Sequence, residues 1–327
     1  MSTQLSTDDI ETRAPTPRER PHIVLCGSLR AGTTMLRLML GRHPLVEGLG
    51  ESDFLFDGAP IDNEATPERI EWFRHRSVDR RPARCLGFRP PTGERYVDML
   101  NDLIAQHRIG RDHLLITLHR HFDIAARMLP NAFFIRLQRD PRDVALSAVP
   151  MGWGGIPYFG LDVWMQAERD WLRAKDHIPE ERRAFIRYED LVRDPRGELS
   201  RVLDAAGLPF DKAVLAPGDN TTYAAPKPRE HEAFRRKLSE REIREINARL
   251  AWLPEDYGYN LSPAESPSAI RSLELRALKI AGIFKWRLDR YGLGLTLADV
   301  AGRKLGLKGL EAKARREMRV IDAAHLK

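Results

Sequence analysis

The chain has 327 residues, of which 42% are hydrophobic and 31% are charged, so it is long enough for a large domain with a well-buried core. It contains only two cysteines, Cys26 and Cys85, which argues against both a disulfide scaffold and a cysteine-based zinc site. No stretch approaches the roughly 18 apolar residues of a membrane-spanning helix.

The net charge of +6 is unevenly distributed along the chain. Residues 264–327 carry 14 Lys and Arg against 7 Asp and Glu, so the remainder is close to neutral. A basic face on the main body is therefore not expected, and nucleic acid is not a predicted partner.

The composition suggests three regions. Residues 1–20 lack the apolar core of a secretory signal and are expected to form a disordered leader. We expect a catalytic or binding domain over 21–262 and a basic helical extension over 263–327. A reducing cytoplasm is the simplest location for a chain with so few cysteines.

The first predicted element is a short buried strand at Ile23–Cys26, followed by a glycine-bounded loop from Gly27 to Thr34 and a helix. This order is how α/β proteins bind phosphate, because loop N–H groups and the helix start point at the anion. The frame matches the phosphate loop G-x-x-x-x-G-K-[ST], except that Thr33 occupies the Lys position and the nearest cation is Arg30. The loop is thus poorly equipped for ATP hydrolysis. Such turns also occur for packing alone.

Strands and helices then alternate along the chain, which predicts an α/β fold with a central parallel sheet flanked by helices. Ligands bind at the carboxyl ends of such strands. A short strand or loop is predicted at Leu45–Glu51 and clearer strands at His113–His119, Ala132–Leu137 and Ala184–Tyr188. Helices are predicted over Pro67–His75, Tyr96–His107, Asp123–Met128, Asp162–Asp176 and Arg196–Ala206.

A second candidate anion site follows the predicted strand Ala132–Leu137. Arg139 offers a bidentate guanidinium, and Ser147, two helical turns further on, offers a hydroxyl to the same phosphate. The alternative is an ordinary helix start, with Asp140 as the cap, Pro141 in the first turn and the remaining charges in solvent.

Together these segments resemble the sulfotransferases that use 3′-phosphoadenosine 5′-phosphosulfate (PAPS). The resemblance covers about Pro21 to Tyr259 and rests on the Gly27–Thr34 loop, the Arg139 and Ser147 pair, and Phe185–Leu191 followed by Asp194-Pro195. It implies the sulfotransferase variant of the P-loop NTPase-like fold. It also implies PAPS as co-substrate, PAP as product, a hydroxyl or amine acceptor and no required metal.

The resemblance also implies the residues that bind the donor. The loop would hold the 5′-phosphosulfate, Arg139 and Ser147 the 3′-phosphate, and Tyr188 the nucleotide. Lys227 and Arg229 lie in a segment similar to the one that closes over the donor in the family. The implied loop residues are Gly27, Ser28, Leu29, Arg30, Ala31, Gly32, Thr33 and Thr34.

The closer resemblance is to the branch of tyrosylprotein sulfotransferases and their bacterial relatives. That branch has Arg in the loop, as Arg30 is here, and a catalytic Glu shortly after a His-Pro pair, where this chain has Glu51. The cytosolic branch instead uses a His in a Lys-Thr-His stretch, and the comparable region here ends in His119 without the Lys. Glu51 is therefore the first candidate for the general base and His119 the second. Arg30 would neutralise charge on the sulfuryl group.

Two alternatives remain at this point: a P-loop kinase of a small molecule, and a non-catalytic nucleotide-binding protein. The basic tail adds two predicted amphipathic helices, Ile270–Tyr291 and Leu305–Ile321. Such helices either pack on the body or on a second copy, or they bind an anionic membrane surface or acidic partners.

Overall fold

The computed structural model describes residues 21–107, 110–215, 232–254 and 257–325. The described residues fall into two compact units, interleaved along the chain. Of the described residues, the sheet unit contains those of 21–27, 32–138 and 169–215, and the second unit contains those of 28–31, 139–168 and 232–325.

The sheet unit is built on five parallel strands in the order β2-β3-β1-β4-β5. The strands are β1 (Ile23–Gly27), β2 (Val46–Glu51), β3 (His113–Leu118), β4 (Phe133–Gln138) and β5 (Arg183–Arg187). The predicted parallel α/β sheet is thus confirmed. The chain reverses its direction of travel across the sheet around β1, so the carboxyl end of β1 is the topological switch point where ligands bind in such sheets.

The burial of each strand explains its sequence. All residues of β1 and β3 are buried, including Cys26, and strands covered on both faces read as continuous apolar runs. The edge strands β2 and β5 each contain both buried and more exposed positions. The segment predicted as a strand or a loop is therefore a strand, and its two glycines lie at an edge of the sheet.

Helices connect the strands and extend the chain beyond them. In the described residues the α-helices are α1 (Thr33–Leu40), α2 (Pro67–Val78), α3 (Arg81–Cys85), α4 (Tyr96–His107), α5 (Phe122–Met128), α6 (Pro141–Ala148), α7 (Pro157–Gly160), α8 (Asp162–Ala174), α9 (Tyr188–Arg193), α10 (Pro195–Ala205), α11 (Phe234–Lys237), α12 (Glu240–Ala248), α13 (Ala269–Lys304) and α14 (Lys308–His325). No helix in these described ranges combines the length and apolarity that a bilayer crossing requires.

The second unit has its own apolar core, centred on the fully buried Trp164 and Phe234. Asp143 connects α6 to this core, because its carboxylate accepts a hydrogen bond from the backbone N–H of Phe234 at 2.9 Å. Burial raises the pKa of Asp143. The other buried members of the cluster are Val144, Ala145, Leu161, Met165, Leu238, Ile246 and Leu250.

Helix α13 is anchored within the second unit by an ion pair and by a close backbone approach. Arg271 donates from Nε to the buried Glu245 at 2.9 Å. Further along the helix, Gly282 lies against the backbone of Gly155, where an added Cβ would overlap a carbonyl oxygen. The helix then kinks at Gly292 (φ 77°, ψ 169°), immediately after the end predicted for the first tail helix.

Past the kink, α13 pairs with α14 around one buried carboxylate. Asp299 is 3% exposed and forms ion pairs with Arg287, with Arg303 at 2.8 Å and with Arg315 at 3.4 Å. Although burial alone would raise it, these three guanidinium groups hold the pKa of Asp299 below its usual range. The two helices form a hairpin within the second unit.

The close contact at Gly282 predicts opposite effects for two glycine substitutions in α13. Gly282→Ala should lower the free energy of unfolding by about 1–3 kcal/mol, because the new methyl group forces the helix away from Gly155. Gly294→Ala, which would meet no atom within 4 Å, should be neutral or stabilising by up to ~1 kcal/mol. Chemical denaturation of both variants tests this. Equal effects would show that the two backbones do not approach closely at Gly282.

Candidate active site

The predicted phosphate loop runs from the end of β1 to the start of α1. Gly32 caps α1 in the left-handed region (φ 104°) and offers no side-chain cap, so the first N–H groups of the helix have no capping side chain. Arg30 is also left-handed (φ 71°), and the turn is closed by the Ala31 N–H donating to the Ser28 carbonyl at 3.1 Å. This is the backbone arrangement of an anion-binding turn.

The two bounding glycines are required by close neighbours in the sheet unit. A Cβ on Gly27 would lie 2.8 Å from Cγ2 of Thr33, and one on Gly32 would lie 2.6 Å from the ring of Tyr188. Tyr188 is the first residue of α9, directly after β5, so its ring packs over the start of α1. Any larger residue at position 32 would clash with this ring and would also strain the backbone.

One loop side chain is suited to a bound anion. The Ser28 residue is 5% exposed, and its buried hydroxyl has no hydrogen-bond partner among the described residues. A buried hydroxyl without a partner is costly. A phosphate or phosphosulfate in the loop would supply the missing acceptor, so the residues present fit such a group.

In the second unit, three of the predicted donor-binding residues lie in direct contact. Arg30 donates from Nε to the Ser147 hydroxyl at 3.0 Å, and Arg139 donates from Nη1 to the Arg30 carbonyl at 3.1 Å. The sequence predicts that Arg30 and Ser147 bind two different phosphates. Their side chains are in contact, so the two predicted groups of residues form one cluster with two guanidinium groups.

The start of α6 holds this cluster in place. Asp140 caps the helix by accepting the Arg142 N–H at 2.9 Å, and its carboxylate also pairs with the Arg142 side chain at 2.7 Å, with both side chains 5% exposed. Trp164 donates from its indole to the Arg139 carbonyl at 3.0 Å. The predicted Asp140 cap is therefore present, and the Arg142 partner was not predicted.

His119, the second candidate base, follows β3 and is held on both sides of its ring within the sheet unit. Its Nδ1 lies 3.0 Å from Oδ2 of Asp53 and its Nε2 lies 3.1 Å from the Thr33 hydroxyl. The side chain is 3% exposed. Because a carboxylate can only accept, Nδ1 carries a hydrogen and donates it to Asp53. In the neutral ring Nε2 then accepts from the Thr33 hydroxyl, so the imidazole orients a loop hydroxyl.

Asp53 is the residue of this site that sequence reasoning missed. Besides the His119 ring, its carboxylate accepts the backbone N–H groups of His119 at 2.8 Å and Arg120 at 3.2 Å. Although burial alone would raise it, the hydrogen bonds from His119 and the charge of Arg120 hold the pKa of Asp53 below its usual range. The only sequence signal was an Asp closely following the Glu51 strand.

Glu51, the first candidate base, is the last residue of β2 and is exposed. Within the described part of the chain its carboxylate makes no hydrogen bond or ion pair, although it lies near enough to Arg120 to favour the charged form of that guanidinium. Its backbone pairs with Thr117, two residues before His119. Of the two candidates, Glu51 is the exposed one, whereas both ring nitrogens of His119 have hydrogen-bond partners.

Lys227 and Arg229, predicted to close over the donor, lie outside the described residues. Across the parts of the chain that are described, no group of three His, Cys, Asp or Glu side chains could hold a metal ion.

Comparisons with known proteins identify the family of this chain. The model of the sulfotransferase family matches residues 21–212. The chain is 24% identical over 222 residues to a protein-tyrosine sulfotransferase of Drosophila melanogaster, which covers 64% of this chain and 42% of that protein. It spans less than half the length of the curated relatives it matches. The chain therefore belongs to the sulfotransferase family, as the resemblance predicted.

Solved sulfotransferase structures are also similar. The sulfotransferase domain of the olefin synthase from Synechococcus PCC 7002 has a TM-score of 0.46 and 22% identity, and covers 80% of this chain and 94% of that domain. The mouse sulfotransferase SULT7A1, solved in complex with PAP, has a TM-score of 0.43 and 13% identity, and covers 72% of this chain and 85% of the mouse chain.

The contacts of Asp53 predict a pH-dependent contribution to stability. Asp53→Asn should lower the free energy of unfolding by about 2 kcal/mol at neutral pH, because hydrogen bonds to a charged group are lost. Since the folded pKa lies below the ordinary 3.8, this contribution is complete at neutral pH and disappears as the pH falls through the lowered value. Denaturant unfolding from pH 7 to pH 3 measures it.

The matched control is Asp62→Asn. The Asp62 side chain is 66% exposed, so its ion pair with Arg127 should contribute less than ~1 kcal/mol to the free energy of unfolding. Equal losses in the two variants would contradict a special role for Asp53.

Proposed function

We propose that this chain transfers a sulfuryl group from PAPS to a hydroxyl or amine acceptor. The observation that carries the proposal is the phosphate loop with Thr33 in place of the Lys and with Arg30 hydrogen-bonded to Ser147. A small-molecule kinase is not favoured, because the lysine that contacts the β- and γ-phosphates of a nucleotide triphosphate is missing.

The proposed donor contacts follow from the charge of the donor. PAPS carries one 5′-phosphosulfate and one 3′-phosphate. The N–H groups at the start of α1, the Ser28 hydroxyl and Arg30 are suited to the first anion. Arg139 and Ser147 are suited to the 3′-phosphate. The hydrogen bond from Arg30 to Ser147 connects the residues proposed for the two anions. Charge-assisted hydrogen bonds of this kind position the donor and stabilise charge that develops during transfer.

In the proposed reaction the acceptor oxygen attacks sulfur in line. The new O–S bond forms as the bond from sulfur to the bridging oxygen breaks, and the electron pair remains on the phosphate of PAP. Arg30 stabilises that leaving oxygen. Glu51 takes the proton from the acceptor hydroxyl, because its carboxylate is exposed. Both ring nitrogens of His119 are hydrogen-bonded to other side chains. His119 is proposed to position Thr33.

Ligand-induced stabilisation tests the proposed donor. PAP at a hundredfold excess over its dissociation constant should stabilise the folded state by about 2.7 kcal/mol. The melting temperature should rise equally with and without Mg²⁺. If ATP with Mg²⁺ raises the melting temperature and PAP does not, the proposal of a PAPS-dependent sulfotransferase is wrong.

Arg139 should contribute mainly to donor affinity. Arg139→Ala should weaken PAP binding by about 2–4 kcal/mol, because a charge-assisted contact to a phosphate is lost. Isothermal titration calorimetry measures this. The control is Arg193→Ala, which removes a 68%-exposed guanidinium paired with Asp190 and should leave the affinity unchanged. Normal affinity in folded Arg139→Ala would remove Arg139 from the phosphate site.

Glu51 should contribute to turnover and not to donor binding. Glu51→Gln preserves the size of the side chain but cannot accept a proton, so turnover at saturating donor should fall roughly 10²- to 10⁴-fold with PAP affinity intact. Glu47→Gln on the same strand serves as the control and should retain turnover. Should Glu51→Gln stay active while folded His119→Ala is inactive, His119 would be the base.

A further inference from the structure

The turn that joins α13 to α14 exposes an unusual amount of apolar surface. Leu305, Leu307 and Leu310 are 70%, 49% and 39% exposed, and they lie within six consecutive residues. Single exposed leucines are ordinary on protein surfaces. Three within six residues, at the turn and the start of α14, are a concentration of exposed apolar side chains that is typical of an interaction site. We call residues 304–313, which include these leucines, the leucine tip.

The packing of the hairpin keeps these leucines at the surface. Ala314 and Met318 are buried, so α14 already has an inward face. Near the tip the helices approach so closely that a Cβ on Gly302 would lie 2.8 Å from the backbone nitrogen of Glu311. The arginine contacts of Asp299 hold the same helices together. The leucines therefore have no space to turn inward between the helices.

The charges around the leucines are positive and uncompensated. Lys304, Lys308 and Lys313 form no ion pair with any described residue. Glu311, the acid within the tip, is paired with Arg315 at 2.8 Å. The leucine tip therefore combines exposed apolar side chains with three available ammonium groups.

We infer that the leucine tip docks onto an anionic lipid surface. Leucines gain free energy by entering the boundary between headgroups and acyl chains, and lysines gain about 1 kcal/mol each near anionic headgroups. A second copy of the chain is a poorer occupant, since two tips would bring six ammonium groups together. This inference concerns a different surface from the proposed donor site and does not depend on sulfuryl transfer.

Vesicle cosedimentation of the full chain tests the inference. The chain should bind phosphatidylcholine vesicles that contain about 30% phosphatidylserine, should bind pure phosphatidylcholine more weakly, and should dissociate as NaCl rises to about 0.3 M. Lys308→Gln should weaken binding roughly fivefold, which corresponds to the loss of one lysine contact. Leu305→Ser should weaken binding at least as much.

Matched controls lie in the sheet unit. Lys212→Gln removes an exposed charge and Leu86→Ser removes a leucine that is 38% exposed, and neither should change binding. Unchanged melting temperatures would show that all four variants fold. Failure of the native chain to bind serine-containing vesicles overturns the inference, as do equal losses in the tip and control variants.

Light scattering after size-exclusion chromatography tests whether a second copy of the chain covers the leucine tip. The native chain and Leu305→Ser should have the same oligomeric state. A dimer that becomes a monomer in Leu305→Ser would show that a second copy covers the leucine tip, and the lipid inference would be wrong.

Discussion

The sheet unit is constrained at the start of α1, where Gly32 meets the ring of Tyr188. β1 is the central strand of the sheet, and the chain must leave its carboxyl end through a left-handed Gly32 that lies under the Tyr188 ring. This close packing leaves the first N–H groups of α1 without a side-chain cap. The backbone N–H donors at the switch point of the sheet are therefore present whatever functional side chains surround them.

The functional side chains then differ in how firmly they are held. His119 is buried and engaged by Asp53 and Thr33, so it is suited to keeping the loop in one geometry. Glu51 ends an edge strand and is exposed. This contrast separates a positioning role from a proton-accepting role among residues that end neighbouring strands.

Local sequence patterns were sufficient for the sheet and for the loop, because apolar runs and glycine spacing report on nearby backbone geometry. They were insufficient wherever a contact joins distant residues. Arg30 and Ser147 are 117 positions apart and His119 and Asp53 are 66 apart, and neither contact leaves a local signal. In the tail, the predicted break at Tyr291 matches the Gly292 kink, but the following helical turns before Lys304 were missed because Gly292 and Gly294 resemble a linker.

The two cysteines have opposite environments, so their reactivity can report on local opening of the sheet. Cys26 is fully buried in β1, where burial raises the pKa of its thiol, whereas Cys85 is exposed. The thiolate is the form of cysteine that attacks an alkylating reagent, so the folded chain should react at Cys85 only. Reaction at the other requires the central strand to separate from its neighbours, and the rate of that second alkylation therefore measures how often the sheet opens beside the phosphate loop.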